Sequence, residues 1–329
     1  MDERWQRILR EMIAAEASDL HAAPGQCIQM RSDGVLSPLP LTPTAVFMER
    51  VLEEMLSAEQ HTALCRNDVD FSYVYEGRRF RGNAYRMQGG VGLALRLLPN
   101  RIMTPEEIGM PDAMRAASEA HGGLVLVCGP TGAGKTTTLA ALIEGVNRVR
   151  RAHIITLEDP IEYLFAPDLS FFSQREAGRD FTAFPDAVRS ALREAPDLLL
   201  VGEIRDRATM EAALMAAETG VLVFGTLHTR SAIQTAMRVE GMFPADVRDA
   251  VRAQFAEAVA GIFSQQLLPR RGGGRVAVIE ALCPTPAVRN ILRQGNYSQL
   301  ASLMMSGAAQ GMQTREMAEA ALRAKGMIA

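Results

Sequence analysis

One short segment, CGPTGAGKTTT at residues 128–138, restricts the possible folds of this 329-residue chain more than any other. It matches the pattern GxxxxGK[ST], and a strand-like apolar run, GLVLVC, precedes it while a helical apolar pattern follows. Glycines let successive backbone N–H groups turn inward around phosphate oxygens, and the start of the following helix adds partial positive charge. The segment therefore predicts a phosphate-binding loop in an α/β domain.

The predicted loop assigns roles to individual residues. Lys135 is expected to reach the β- and γ-phosphates of ATP, and the Thr136 hydroxyl is expected to bind Mg²⁺. The alternative is that the segment is a chance glycine-rich turn. The strand-like run directly before the motif and the helical pattern directly after it argue against that alternative. The predicted nucleotide-binding residues are Gly129, Pro130, Thr131, Gly132, Ala133, Gly134, Lys135, Thr136 and Thr137.

The sequence around this loop alternates between apolar strand-like runs and helical patterns. This alternation predicts a mostly parallel sheet covered on both faces. A hairpin is predicted at RRGGGRVAVIEAL, followed by a mainly helical region. The predicted strands are Leu124–Cys128, Ile154–Leu157, Leu198–Val201 and Val221–Thr226.

The N-terminal part has a different pattern and predicts a separate α+β domain. Its first helix is amphipathic, which favours docking on its own domain over binding a membrane surface. Turns at Pro24–Gly25 and Asp33–Gly34 and a three-stranded meander after residue 68 follow. The proline-rich LLPNRIMTPEEIGMPD separates this part from the rest. The predicted boundaries are a domain at 1–98, a linker at 99–112, an ATPase domain at 113–275 and its C-terminal, mainly helical region at 276–329.

Composition excludes several classes of protein. The formal charge of −3 argues against a broadly basic nucleic-acid-coating protein, and no apolar run approaches the roughly 20 residues of a membrane helix. The N-terminus lacks the apolar block of a signal peptide. The four cysteines form no CxxC pair, so free thiols are expected rather than a zinc ribbon.

Acidic residues follow two of the predicted strands, where α/β sheets carry their ligands. Gly202 lies where many phosphate-binding enzymes place a magnesium-binding aspartate, and Glu203 comes next. A carboxylate there can take a proton from the attacking water or orient it, although a solvated loop acid is the alternative. Upstream, Glu158 and Glu162 flank Pro160 in TLEDPIEY, and with Thr136 they are the predicted metal ligands. His228 follows the fourth strand and can contact the γ-phosphate, unless it is a structural histidine.

Taken together, these segments resemble the secretion-type AAA-like ATPases, and most closely the PilT-type motors that retract type IV pili. GPTGAGKTTTLA is similar to the family's Walker A segment, TLEDPIEY to its Asp box, LLLVGEIRD to its modified Walker B segment and TGVLVFGTLHT to its His box. The resemblance implies a PAS-like N-terminal domain, a RecA-like ATPase domain and a homohexamer. It also implies that Glu203 is the catalytic base or water-orienting residue and that Glu162 assists magnesium.

The same resemblance assigns roles to two arginines of the N-terminal domain. Arg81 in RFRGN and Arg96 in ALRLLP match arginines that complete the nucleotide site, whereas the residues by themselves favour solvated edge-strand charges. PAVRNILRQ is similar to a motif of the retraction ATPases. Two positions depart from the family: Val221 replaces a first histidine, and Gly82 replaces a β-branched residue and is expected to loosen its strand.

The resemblance implies a Mg²⁺-dependent ATPase that powers pilus retraction and twitching motility. Its expected partners are other copies of itself, an inner-membrane pilus platform protein and related motor ATPases, with no nucleic acid, and its expected place is the cytoplasmic face of the inner membrane. Three alternatives stay open: a type IV secretion traffic ATPase, a PilU-like auxiliary or regulatory nucleotide-binding partner, and a DNA helicase. Sparse aromatic residues disfavour the helicase.

Overall fold

The computed structural model describes residues 2–32 and 34–329, and the chain divides into two compact units, Met1–Arg101 and Ile102–Ala329. Within the described residues no helix is both long and apolar enough to cross a membrane. All four cysteines are free, as predicted.

The first unit is an antiparallel sheet with helices on one face. Its strands follow the order β3-β2-β1-β6-β5-β4, and the predicted meander is confirmed as β4, β5 and β6. Of the predicted turns, the one at Asp33–Gly34 includes Asp33, which lies outside the described residues. The helices are α1 (Glu3–Ala14), α2 (Ala45–Met55) and α3 (Ala58–Leu64), and the strands are β1 (Asp19–Ala22), β2 (Gln29–Ser32), β3 (Val35–Pro38), β4 (Val69–Tyr75), β5 (Arg78–Met87) and β6 (Gly90–Leu97).

Helix α1 forms because Asp2 accepts a hydrogen bond from the N–H of Arg4 at its start, and because its apolar residues recur with helical spacing. Trp5, Leu9 and Met12 are fully buried in the core of the first unit. The predicted docking of this helix on its own domain is therefore confirmed.

The second unit is a sheet in the order β13-β12-β7-β11-β10-β8-β9 with helices on both faces. Its strands are β7 (Gly123–Cys128), β8 (His153–Glu158), β9 (Phe171–Glu176), β10 (Leu198–Val201), β11 (Leu222–Leu227), β12 (Val259–Pro269) and β13 (Arg275–Leu282). Its helices are α4 (Pro105–Ile108), α5 (Asp112–Ser118), α6 (Lys135–Val149), α7 (Phe184–Ala191), α8 (Arg207–Glu218), α9 (Ala232–Gly241), α10 (Arg248–Ala258), α11 (Pro286–Gln294), α12 (Leu300–Ser306) and α13 (Arg315–Ala324).

The apolar strand sequences follow from burial of both sheet faces. In β7, Leu124 and Leu126 contribute to one hydrophobic core, and Val125 and Val127 contribute to the other. Strands β7 to β12 pair in parallel, whereas β13 pairs antiparallel with β12 in the predicted hairpin. The predicted parallel, doubly covered sheet is confirmed, with strand ends within one residue of the prediction.

Candidate functional site

The carboxyl ends of four strands meet at one edge of the second sheet. Val201 at the end of β10 pairs with Leu157 of β8 and Gly225 of β11, and Cys128 at the end of β7 pairs with Leu227. The residues that follow these strands are therefore neighbours. They include the phosphate loop, the Glu158–Glu162 segment, Glu203 and His228.

The loop between β7 and α6 has the backbone that a phosphate cradle requires. Gly134 precedes the helix at φ 82°, in the left-handed region, and no side chain caps the first turn. Gly129 has φ 151°, and a Cβ added there would lie 2.3 Å from the carbonyl oxygen of Gln265. Both positions thus require glycine, and the uncapped helix start is suited to an anion.

Lys135 is folded back onto this loop. Its Nζ donates hydrogen bonds to the carbonyl oxygens of Gly129 at 2.8 Å and Pro130 at 3.2 Å, and the side chain is nearly buried. Burial lowers the pKa of Lys135, while the negative charges of Glu203 and Glu162 oppose the shift. The loop lysine and the two carboxylates predicted to act with it therefore lie within electrostatic reach of one another.

Packing explains the glycine at the end of β10. Gly202 donates its N–H to the carbonyl oxygen of Leu157 at 2.8 Å, and an added Cβ would lie 2.9 Å from that oxygen and 3.3 Å from the Cα of Glu158. No left-handed backbone is involved, so the reason is space alone. The neighbouring strand places Glu158 where a residue 202 carboxylate would have to fit.

Glu203 has a fixed partner on each carboxylate oxygen. Arg205 donates from its guanidinium nitrogen Nη2 to Oε2 at 2.7 Å, and His228 Nε2 lies 3.2 Å from Oε1. The hydrogen bond from Arg205, together with the nearby charges of Arg205, His228 and Lys135, holds the pKa of Glu203 below its ordinary value. Glu203 is therefore ionised and oriented across the neutral pH range.

The two predicted metal carboxylates differ in environment. Glu162 is half-buried, whereas Glu158 is only 5% exposed and its Oε1 lacks a hydrogen-bond partner among the described residues. Burial raises the pKa of Glu158 to about 7. The unpartnered buried oxygen of Glu158 and the half-buried carboxylate of Glu162 are hard oxygen donors of the kind that Mg²⁺ prefers, and Thr136 in the first turn of α6 offers a hydroxyl. No cluster of three acidic, histidine or cysteine groups suited to a metal occurs in the part of the chain that the structure describes.

Two residues near the loop were not singled out in the sequence. Arg205 bonds Glu203, and only its place in GEIRD points to a role. Gln265 of β12 is almost fully buried, accepts a hydrogen bond from Thr138 at 2.7 Å and donates one to the carbonyl oxygen of Ala133 at 2.7 Å. Gln265 lies in the polar run Ser264–Gln266 inside a strand that is otherwise apolar, and such a run is a signal that sequence reasoning can use.

Arg81 and Arg96 are brought together within the first unit. They occupy directly paired positions on β5 and β6, on the face opposite the buried Phe80 and Leu95. Residues paired in this way share a face of an antiparallel sheet. The two arginines therefore form one positively charged feature rather than two separate ones.

The two departures from the family pattern have structural explanations. Gly82 is paired on both sides, and the ring of Phe71 covers it so closely that a Cβ would lie 2.2 Å from a ring carbon. The expected loosening of β5 is wrong, because an aromatic ring fills the missing side-chain volume. Val221 is buried just before the start of β11, at the end opposite His228. It has no place in the site formed by Glu203 and His228.

A parallel sheet with a glycine-rich loop leading into a helix, and with acidic residues at the adjoining strand ends, defines the class of P-loop nucleotide-binding proteins. A family model described as "Type II/IV secretion system protein" matches residues 2–273. The chain belongs to this family.

Solved and curated relatives refine this placement. The chain is 42% identical to the type IV pilus retraction ATPase PilT of Pseudomonas aeruginosa over 315 residues, 95% of this chain and 92% of that protein. A crystal structure of the pilus retraction motor PilT with bound ADP matches with a TM-score of 0.92, 42% identity and coverage of 98% and 94%. The ATPase DotB of Legionella pneumophila matches with a TM-score of 0.86, 28% identity and coverage of 99% and 92%. The expected fold, an α+β N-terminal domain followed by a RecA-like P-loop domain, is confirmed.

Proposed function

We propose that this chain is an ATP-hydrolysing motor that powers retraction of type IV pili. The observation that carries the proposal is the strand pairing that brings the phosphate loop with Lys135, the segment with Glu162, and Glu203 to one edge of the sheet. Because the chain is similar to PilT over nearly its whole length, we assign ATP hydrolysis at this site to pilus retraction. We further propose domain boundaries at residues 98, 112 and 275.

Nucleotide binding involves an exchange of hydrogen bonds by Lys135. Its ammonium now donates to two loop carbonyls, and the β- and γ-phosphates of ATP would replace them as acceptors. Hydrogen bonds from an ammonium to a phosphate are stronger than those to neutral carbonyls. The lysine is therefore held at the cradle before the substrate arrives.

Glu203 orients the attacking water rather than acting as a strong proton acceptor. A general base is most effective when its pKa lies near the operating pH, and the pKa of Glu203 is held low by Arg205. Its two oxygens are fixed by Arg205 and His228, so a water bound to Glu203 would take one defined position. His228 would also contact the γ-phosphate through its ring N–H.

Magnesium would be held by Thr136, Glu162 and the buried oxygen of Glu158. When bound, Mg²⁺ neutralises negative charge on the β- and γ-phosphates. Burial raises the pKa of Glu158 to about 7, so without a cation this carboxyl is only partly ionised near neutral pH. The protein's own contribution is to hold a half-buried and a buried carboxylate beside the phosphate cradle.

The remaining parts of the proposal extend to the assembly. Arg81 and Arg96 would stabilise charge on the γ-phosphate during ATP cleavage. Subunits would form a homohexamer that works against an inner-membrane platform protein, alongside related motors, from the cytoplasmic face of that membrane. ATP binding and hydrolysis at successive subunits would then drive pilus disassembly.

An ATPase assay tests the enzyme. Lys135→Ala and Glu203→Gln are each expected to lower the Mg²⁺-dependent kcat at least about a hundred-fold, because phosphate binding and water orientation are lost. Glu211→Gln, which removes an exposed carboxylate from α8, is the matched control and should retain activity within about two-fold. Wild-type rates in both site variants would overturn the proposal.

A deletion strain tests the biological role. Loss of a retraction motor leaves excess surface pili and no twitching, whereas loss of an assembly motor leaves no surface pili. Normal piliation together with a defect in protein or DNA transfer would favour the traffic ATPase, which the family description also covers. Rescue of twitching by Glu203→Gln would favour an auxiliary nucleotide-binding partner.

A further inference from the structure

Asp19 lies in the middle of a charged row that crosses the first sheet. It is paired with Arg31 of β2 on one side and with Arg96 of β6 on the other, and Arg96 is paired with Arg81 of β5. These positions share the face opposite the buried Leu20. The row therefore contains three arginines and one carboxylate.

The carboxylate of Asp19 makes specific contacts within this row. Oδ1 accepts a hydrogen bond from Nε of Arg96 at 2.8 Å, and Oδ2 accepts one from the hydroxyl of Ser18 at 2.8 Å. Nε of Arg31 lies 3.9 Å from Oδ2. Asp19 is 17% exposed, whereas the Arg96 side chain is 65% exposed. The mostly buried carboxylate of Asp19 thus holds Arg96 at its Nε, while most of the Arg96 side chain is exposed.

The charges and donor groups in the row explain what the contact between Asp19 and Arg96 does. Like charges directly opposite each other in a sheet are destabilising, so Arg81 beside Arg96 needs a counter-ion. A guanidinium has five N–H donors, and one that commits Nε–H to a carboxylate keeps those on its two terminal nitrogens. Partial burial raises the pKa of Asp19, but the hydrogen bonds from Arg96 and Ser18 keep it below its ordinary value. Asp19 is therefore a permanent anion at working pH.

We propose that Asp19 is a positioning residue for Arg96: it fixes the guanidinium through Nε and leaves the terminal nitrogens to bind the phosphate that forms during ATP cleavage. The inference rests on the proposed function and deepens it, because it names the group that sets the arginine's geometry.

Steady-state kinetics distinguish this role from a merely structural one. Asp19→Asn is expected to lower kcat for ATP about ten-fold through misplacement of Arg96, while KM stays the same or falls because a negative charge is lost. In an Arg96→Lys background, which keeps the charge but has no Nε–H, the same substitution should change kcat by less than about two-fold.

Two further variants complete the design. Asp70→Asn removes a carboxylate that bonds Asn83 on the same face and should leave kcat within about two-fold. Ser18→Ala removes the hydroxyl that bonds Asp19 and should lower kcat in the same direction by a smaller factor, about two- to three-fold, and it serves as the test if Asp19→Asn folds poorly.

The possible failures are separable. A wild-type kcat in Asp19→Asn, or an equal loss in the wild-type and Arg96→Lys backgrounds, overturns the inference while Lys135-dependent ATPase activity still stands. A protein without Lys135-dependent ATPase activity overturns the proposed function itself. Equal losses from Asp70→Asn and Asp19→Asn would show a general charge effect and also overturn the inference.

Discussion

Gly202 shows how a single residue links packing to chemistry. The strand end that carries Glu203 passes so close to Leu157 and Glu158 that a side chain at residue 202 has no room. The carboxylates at this edge therefore come from residue 203 and from the neighbouring strand. Their arrangement depends on a glycine that has ordinary backbone angles.

Gly202→Ala is expected to lower stability by about 1–3 kcal/mol and to reduce kcat, because the new methyl group must displace backbone of β8. Gly145→Ala in α6 is the control, since nothing lies within 4 Å of the added Cβ and alanine favours a helix by about 0.5–1 kcal/mol. Thermal melts and ATPase rates measure both. A Gly202→Ala protein as stable and active as wild type would contradict this account.

At the scale of elements, strand β12 holds the phosphate loop in place through the side chain of Gln265. Gln265 joins this strand to the loop through Ala133 and to α6 through Thr138, with each hydrogen bond at 2.7 Å. The same strand pairs with β7, which leads into the loop, and with β13 of the C-terminal hairpin. The loop's shape therefore depends on a strand that follows it by more than a hundred residues.

Gln265→Leu is expected to raise KM for ATP several-fold and to cost about 1–3 kcal/mol of stability, because the hydroxyl of Thr138 and the carbonyl of Ala133 lose their buried partner. The neighbouring Gln266 is half-buried, so Gln266→Leu is the matched control and should change stability by no more than about 0.5 kcal/mol. Nucleotide titration and melting curves supply the measurement. Unchanged nucleotide affinity in Gln265→Leu would show that β12 does not shape the loop.

At the scale of the whole molecule, the proposed motor requires subunits that work in turn. The first unit presents an arginine-containing sheet face, and the second presents a phosphate cradle with its carboxylates. Neither unit alone contains all of the groups proposed for ATP cleavage. The proposed motor therefore needs groups from both units for ATP cleavage.

Mixing experiments test the coupling between subunits. When Lys135→Ala protein is mixed with wild type before ring assembly, the ATPase rate should fall faster than the wild-type fraction, because one inactive subunit interrupts its neighbours. Mass photometry confirms the assembly, and Glu211→Gln protein mixed in the same ratios controls for dilution. A rate that falls in proportion to the wild-type fraction would show that subunits act independently.

The sequence by itself determined the features that depend on neighbouring residues. The phosphate loop, the apolar strands and the amphipathic first helix were all predictable, because each needs only a local pattern of glycine, apolar and polar residues. The tertiary structure alone decided the contacts between distant residues. Asp19 and Arg96 are 77 residues apart, and Thr138 and Gln265 are 127 apart. Strand order and register bring such pairs together, and no local periodicity encodes either. For the same reason, the crowding at Gly202 and the partners of Glu203 became apparent only when the strands were placed side by side.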